Sequence, residues 1–123
     1  MKRDMDLVRR ILFEIEQHPY DRDSFELDIP EHSQAEIGYH IMLMHQAHLI
    51  VAEDRSYEQL CDASGWKPVA LTWSGHEFLS AAENDGTWNK AKSLIVEKGS
   101  GMVFEILKTL LIEIGKRATL AAI

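Results

Sequence analysis

Residues 33–48, SQAEIGYHIMLMHQAH, set the strongest constraint on how this chain can fold. Ser33 and Glu36 form S-x-x-E, the spacing at which a hydroxyl and a carboxylate cap the unpaired N–H groups that open a helix. In the helix that follows, Ile37, Ile41 and Met44 recur at three- and four-residue spacing and define an inner stripe. Ala35, Tyr39, Met42 and Gln46 fall on the opposite side. A helix that is apolar or aromatic nearly all round has to be covered on more than one side. The other elements must wrap it, or a partner must.

Those other elements are readable from their periods. Met5, Val8, Ile11, Leu12 and Ile15 give one apolar face to a helix over 4–17, which Pro19 in HPYD ends. In FELDIP, residues 25–30, Phe25, Leu27 and Ile29 alternate with Glu26 and Asp28, which predicts a half-buried strand. LIVAED (49–54) and KPVALT (67–72) predict an antiparallel hairpin with a long polar tip, RSYEQLCDASGW. The stretch LTWSGHEFL, 71–79, reads as a strand exit. Ser74 and Glu77 repeat the capping-box spacing there and open a helix to about Glu83, with Phe78 and Leu79 turned to the core. NDG at 84–86 is a turn, and Thr87 is placed to cap a helix to about Glu97. GSG at 99–101 is the clearest break in the chain. Beyond it Val103, Ile106, Leu107, Leu110 and Ile114 form an apolar stripe. A helix, a strand, a long helix, a hairpin and a helix give an α+β, winged-helix-like domain over 1–83. A helical extension over 84–123 packs on it or on a second copy.

Composition narrows the classes of function. The chain has 123 residues and 46% are hydrophobic, enough for one compact core. No apolar run reaches the roughly 18 residues of a membrane span. The charged start, MKRDMDLVRR, lacks the apolar centre of a secretory leader, so a cytoplasmic protein is expected, and the lone Cys61 cannot form an internal disulfide. The formal net charge of −7 opposes nucleic-acid binding, which draws its affinity from Lys and Arg on phosphates. The charge is also uneven: between Arg22 and Arg55 there are seven Asp or Glu and no Lys or Arg.

Taken together, MKRDMDLVRRIL, IGYHIMLMHQAHLI, LTWSGHEFL and the W-N-K at 88–90 followed by FEILKTLL resemble the domain of unknown function family 2513, found in bacteria and phages. The resemblance spans nearly the whole chain. It implies a winged-helix-like fold and no particular reaction. The usual short helix before the recognition helix is replaced here by 25–30, which leaves the helix-turn-helix incomplete.

In a winged-helix reading the 33–48 helix would enter the major groove and the 55–66 tip would be the wing. That helix offers Gln34, His40, His45 and Gln46 to a base edge but no Lys or Arg, and the wing surrounds Arg55 with Glu53, Asp54, Glu58 and Asp62. The candidate nucleic-acid contacts are therefore Arg3, Arg9, Arg10 and Arg55, weighed against the commoner reading of such charges as a solvated face. Tyr39, Met42 and Gln46 on the outer ridge, and Val103, Ile106, Leu110 and Ile114 on the final stripe, are the candidate protein interface. A homodimer or another protein is the expected partner, with nucleic acid disfavoured by charge and no membrane.

Six histidines raise a metal site built from His40, His45, His48 and His76, but no zinc-ligand spacing is present and Cys61 has no CxxC partner. Ser74, His76 and Glu77 are neighbours in sequence, a poor basis for triad geometry, and the Gly-Ser-Gly lacks a phosphate loop's lysine. No catalytic residue, metal or cofactor is expected, and Trp66, Trp73 and Trp88 read as core or sheet-edge residues. The expectation is a small non-enzymatic regulatory or adaptor protein working by protein contact. The alternative is a winged-helix DNA-binding transcriptional regulator.

Overall fold

The computed structural model describes residues 1–97 and 103–121. Its elements are α1 (Met5–Gln17), α2 (Gln34–Gln46), β1 (Ile50–Asp54), β2 (Trp66–Leu71), α3 (Trp73–Ala82), α4 (Asp85–Glu97) and α5 (Phe104–Ala121). Among the described residues the fold is α+β, five helices with one two-stranded antiparallel sheet. The chain divides into two compact units, Met1–His76 and Glu77–Ile123, with the break inside α3. The Gly-Ser-Gly break at 99–101 lies outside the described residues.

In the first unit, Asp4 caps α1 by accepting from the backbone N–H groups of Asp6 and Leu7 at 3.0 and 3.3 Å. The helix buries the expected Met5, Val8, Ile11, Leu12 and Ile15, and Leu7 besides. It packs on α2 and β2. Ser33 caps α2, its hydroxyl accepting from the Glu36 N–H at 3.1 Å. The reciprocal half of the capping box does not form, because the Glu36 carboxylate turns instead to His32 Nδ1. At the other end His48 adopts a left-handed backbone, φ 61. The His48 N–H bonds the His45 carbonyl and the Leu49 N–H bonds the Met44 carbonyl, each at 3.0 Å. This is the paired closure of a Schellman motif, and it hands the chain straight into β1.

Ile37, Ile41 and Met44 are buried on the inner face of α2, with His40 beside them at 0% exposure. His40 Nε2 accepts from the Asp4 backbone N–H at 2.9 Å, and Nδ1 lies 2.8 Å from the Glu36 carbonyl. A nitrogen that accepts carries no proton and a nitrogen facing a carbonyl must carry one, so the ring is the neutral Nδ1–H tautomer. It ties the start of α1 to the middle of α2.

β1 and β2 pair with Val51 opposite Ala70 and Ala52 opposite Pro68, so Val69 is the extra residue of a bulge. A proline is tolerated at such a position. The strand expected over 25–30 does not form. Its alternation is real, since Leu27 and Ile29 are buried while Glu26 and Asp28 are exposed. The Phe25 N–H even reaches the Pro68 carbonyl at 3.1 Å. Pro68 has no N–H to return, so the ladder does not propagate and the sheet stops at two strands.

The Ser74 cap is also corrected. Thr72 caps α3, its hydroxyl accepting from the Gly75 N–H at 3.1 Å while donating to the His48 carbonyl at 2.6 Å. A Cβ on Gly75 would lie 2.0 Å from the Leu49 carbonyl oxygen. The glycine of LTWSGHEFL is therefore where the first turn of α3 presses on the chain leaving α2. Gly38 serves the same need on α2, where a Cβ would lie 2.0 Å from the Ala63 carbonyl oxygen of the hairpin tip.

In the second unit, Asn84 rather than Thr87 caps α4, accepting from the Thr87 N–H at 2.9 Å. The Phe78 ring stacks on Phe104 at 4.9 Å and meets Trp88 edge-on at 6.5 Å. Leu79, Ala82, Ala91, Ile95, Leu107 and Leu111 are buried in the same unit. α4 packs on α5.

Candidate functional site

The outer ridge of α2 has the phase its sequence gives it. Tyr39 and Met42 are half-buried and Gln46 is exposed, on the side away from Ile37, Ile41 and Met44. The Tyr39 ring stands edge-on to His40 at 5.9 Å, and the His45 ring lies 5.5 Å from Trp66. No Lys or Arg stands anywhere on α2.

On α5 the expected stripe and the observed buried face differ. Leu107 and Leu111 are the buried residues; Val103 and Ile106 are exposed at 49% and 43%. Leu110 and Ile114 are half-buried and line a groove of about 440 Å³ between α4 and α5, together with Leu94, and with Lys90, Glu113 and Arg117 among its charged residues. Of the stripe, Leu107 lies in the helix contact, while Val103, Ile106, Leu110 and Ile114 flank it. Burial centres one position later, because α4 approaches from that side.

Two of the candidate nucleic-acid contacts are paired with carboxylates. Arg10 is held by Glu14 on the same helix at 2.8 Å, and Arg55 by Glu53 at 3.1 Å. Arg3 is exposed and Arg9 half-buried. The hairpin tip carries Glu53, Asp54, Glu58 and Asp62 against Arg55. Asp54 accepts from the Ser56 hydroxyl and N–H, which holds its pKa below the ordinary 3.8. Asp62 accepts from the Ser64 N–H at 2.9 Å and is lowered likewise by its bonds to Ser64. Bonds to the charged form keep both tip carboxylates ionised.

The histidines are dispersed. Both His40 nitrogens are engaged, His48 is exposed on the helix exit, and His76 Nδ1 is 4.0 Å from Glu16. His45 Nδ1 is buried without a hydrogen-bond partner among the described residues. Among the described residues no three His, Cys, Asp or Glu come together at metal-binding distance. Cys61 is exposed on the tip. Trp88 is a core residue and Trp66 opens β2, but Trp73 is 82% exposed at the first position of α3.

A cleft of about 480 Å³ opens between the hairpin tip, the start of α2 and residues 24–26. Arg55 and Lys67 both line it, with Gln34, Phe25 and Tyr57. They are the sole cations between Arg22 and Lys90. The Arg55 N–H bonds the Gly65 carbonyl, and Lys67 lies two residues on, so the two side chains share one hairpin face. Lys67 had no role in the sequence reading. The signal that could have found it is this pair of isolated cations, one on either side of a predicted hairpin tip.

Residues 2–101 match the family described as "Hypothetical protein (DUF2513)". The chain belongs to this family. Its match takes in the first unit and α4, and ends before α5. A relative, an uncharacterized protein of Haemophilus influenzae (strain ATCC 51907 / DSM 11121 / KW20 / Rd), is 35% identical over 109 residues, covering 88% of this chain and 90% of the relative. No solved structure matches the chain. Among the described residues no helix is long and apolar enough to cross a membrane.

Proposed function

We propose that this DUF2513 protein is a small non-enzymatic regulatory or adaptor protein of the cytoplasm that acts through protein–protein contact, self-association included. The observation that carries the reading is the outer ridge of α2. A DNA reader would place basic and amide groups in this position; here Tyr39 and Met42 occupy it, on a helix without Lys or Arg. Aromatic and methionine side chains are what protein interfaces concentrate. The exposed Val103 just before α5 and Ile106 on it, beside the groove lined by Leu110 and Ile114, supply a second apolar surface suited to a copy of the chain.

The runner-up is a winged-helix DNA-binding transcriptional regulator that uses its first-helix arginines and the 55–66 wing in place of a normal recognition helix. The order of elements in the first unit favours it. The ionised acidic tip and the pairing of Arg10 and Arg55 with carboxylates weigh against it.

Light scattering on the wild type, Met42→Glu and Ile106→Glu tests the primary reading. The expected result is a mass above the monomer at about 100 μM, reduced by one of the two substitutions while circular dichroism stays unchanged. A wild type that is monomeric at that concentration removes self-association from the proposal.

A further inference from the structure

The cleft beneath the hairpin tip gathers several polar groups between residues 24–26, the start of α2 and the hairpin. Lys67 is its centre. Its side chain is only 15% exposed, and its ammonium donates to Glu26 Oε2 at 3.0 Å and faces Gln34 Oε1 at 3.5 Å. Gln34 is fixed in that orientation, since its Nε2 donates to the Leu27 carbonyl at 3.0 Å. Two of the three ammonium donors are thereby used among the described residues.

The counterion is the unusual part. Glu26 is 80% exposed, so a sheltered cation is balanced by a carboxylate standing in water. An exposed partner of this kind is weakly held and is readily exchanged for another anion. The walls, by contrast, are set. Phe25 stacks on His18 with ring centroids 3.6 Å apart and planes 2° from parallel. Gly65 meets Ser56 so closely that a Cβ there would lie 2.6 Å from the Ser56 backbone nitrogen, and the Asp54–Ser56 and Asp62–Ser64 turns brace the hairpin on both sides. The cleft is open to solvent on one side and has a volume of about 480 Å³, room for a small aromatic anion.

We propose that this cleft binds a small organic anion, a carboxylate or phosphate on an aromatic body, whose charge takes the place of Glu26 on Lys67 and meets Arg55, and whose ring lies against Phe25 and Tyr57. Lys67 and Arg55 are the sole two cations of residues 23–89, and each is balanced by one solvent-facing carboxylate, Glu26 on Lys67 and Glu53 on Arg55, which the incoming anion displaces. The inference is independent of the protein-contact reading and stands or falls without it.

Titration of the ¹⁵N-labelled full chain with benzoate, phenyl phosphate and uncharged benzamide tests it. Saturable amide shifts at Tyr57, Gly65 and Lys67 are expected with one or both anions, at about millimolar concentration, and not with benzamide. The tighter of the two anions identifies the ligand as carboxylate or phosphate. Lys67→Gln is expected to weaken binding about tenfold or more, the loss of one charge-assisted bond. Glu26→Gln, at an exposed position where folding is not at risk, is expected to strengthen it, because it removes the competing carboxylate. Absence of saturation by both anions, equal shifts with benzamide, or weaker binding in Glu26→Gln would each overturn the proposal.

Discussion

α1 and α5 look alike in sequence, and the structure uses them differently. Each carries an apolar stripe at helical spacing. α1 buries six apolar residues in 13, across a broad arc from Met5 to Ile15. α5 buries two in 18, Leu107 and Leu111, and leaves Ile106, Ile112 and Leu120 exposed. The reason is the number of neighbours. α1 lies against both α2 and β2, whereas the packing partner of α5 within its unit is α4. An apolar stripe becomes core only to the width that its neighbours can cover, and the remainder is surface available to a partner.

The largest effect expected from this contrast is on stability. Leu12→Ala, at a fully buried site, should cost about 3 kcal/mol by urea denaturation, while Ile106→Ser should stay within about 0.5 kcal/mol. Equal losses would erase the difference between the two helices.

Two glycines extend the comparison from helices to units. Gly75→Ala drives a methyl into the Leu49 carbonyl and should cost about 1–3 kcal/mol. Gly115 on α5 has nothing within 4 Å of a built Cβ, so Gly115→Ala should gain up to about 1 kcal/mol of helix propensity. Opposite signs in thermal unfolding of the two variants would bear out the crowded first unit and the open helix.

The cap of α3 is sharper still as a test of chain-level detail. Thr72→Ala should cost about 1 kcal/mol, and Ser74→Ala a few tenths at most. The reverse order would restore Ser74 as the cap.

The smallest effect is one of pH. The Asp54 and Asp62 pKa values are depressed below 3.8, so what their bonds to Ser56 and Ser64 contribute is present above that value. It is lost as pH falls through the lower folded values. The Ser56 and Ser64 amide resonances should therefore hold steady down to about pH 4 and move only below it. Movement between pH 5 and 7 would contradict the assignment.

Much of the fold was legible because it rests on local rules. The α1 face, the inner stripe of α2, the Ser33 cap and the hairpin all follow from spacing alone. What was missed depends on who lies across the gap. The 25–30 segment alternates like a strand, but whether it pairs is decided by the missing N–H of Pro68. Ser74 and Thr87 sit at cap-like spacing, yet Thr72 and Asn84 are the residues that the preceding chain delivers to the helix start. The α5 stripe was identified but its buried side was not, because the approach of α4 is a tertiary fact. The cleft was invisible for the same reason: Arg55 and Lys67 are separated by a long tip and meet only through the β1–β2 register.

The central claim is that the half-buried Tyr39–Met42 ridge of α2, with the exposed apolar side of α5, and not the basic start of the chain, carries the function. Binding to randomised duplex DNA at about 50 and 150 mM salt, with the mass in solution recorded on the same samples, tests it most directly. The account predicts no salt-sensitive binding at the lower salt and a mass above the monomer. Tight binding at 50 mM that is lost by 150 mM, and is weakened by Arg9→Gln and Arg10→Gln, would contradict it and make the chain a DNA-binding regulator.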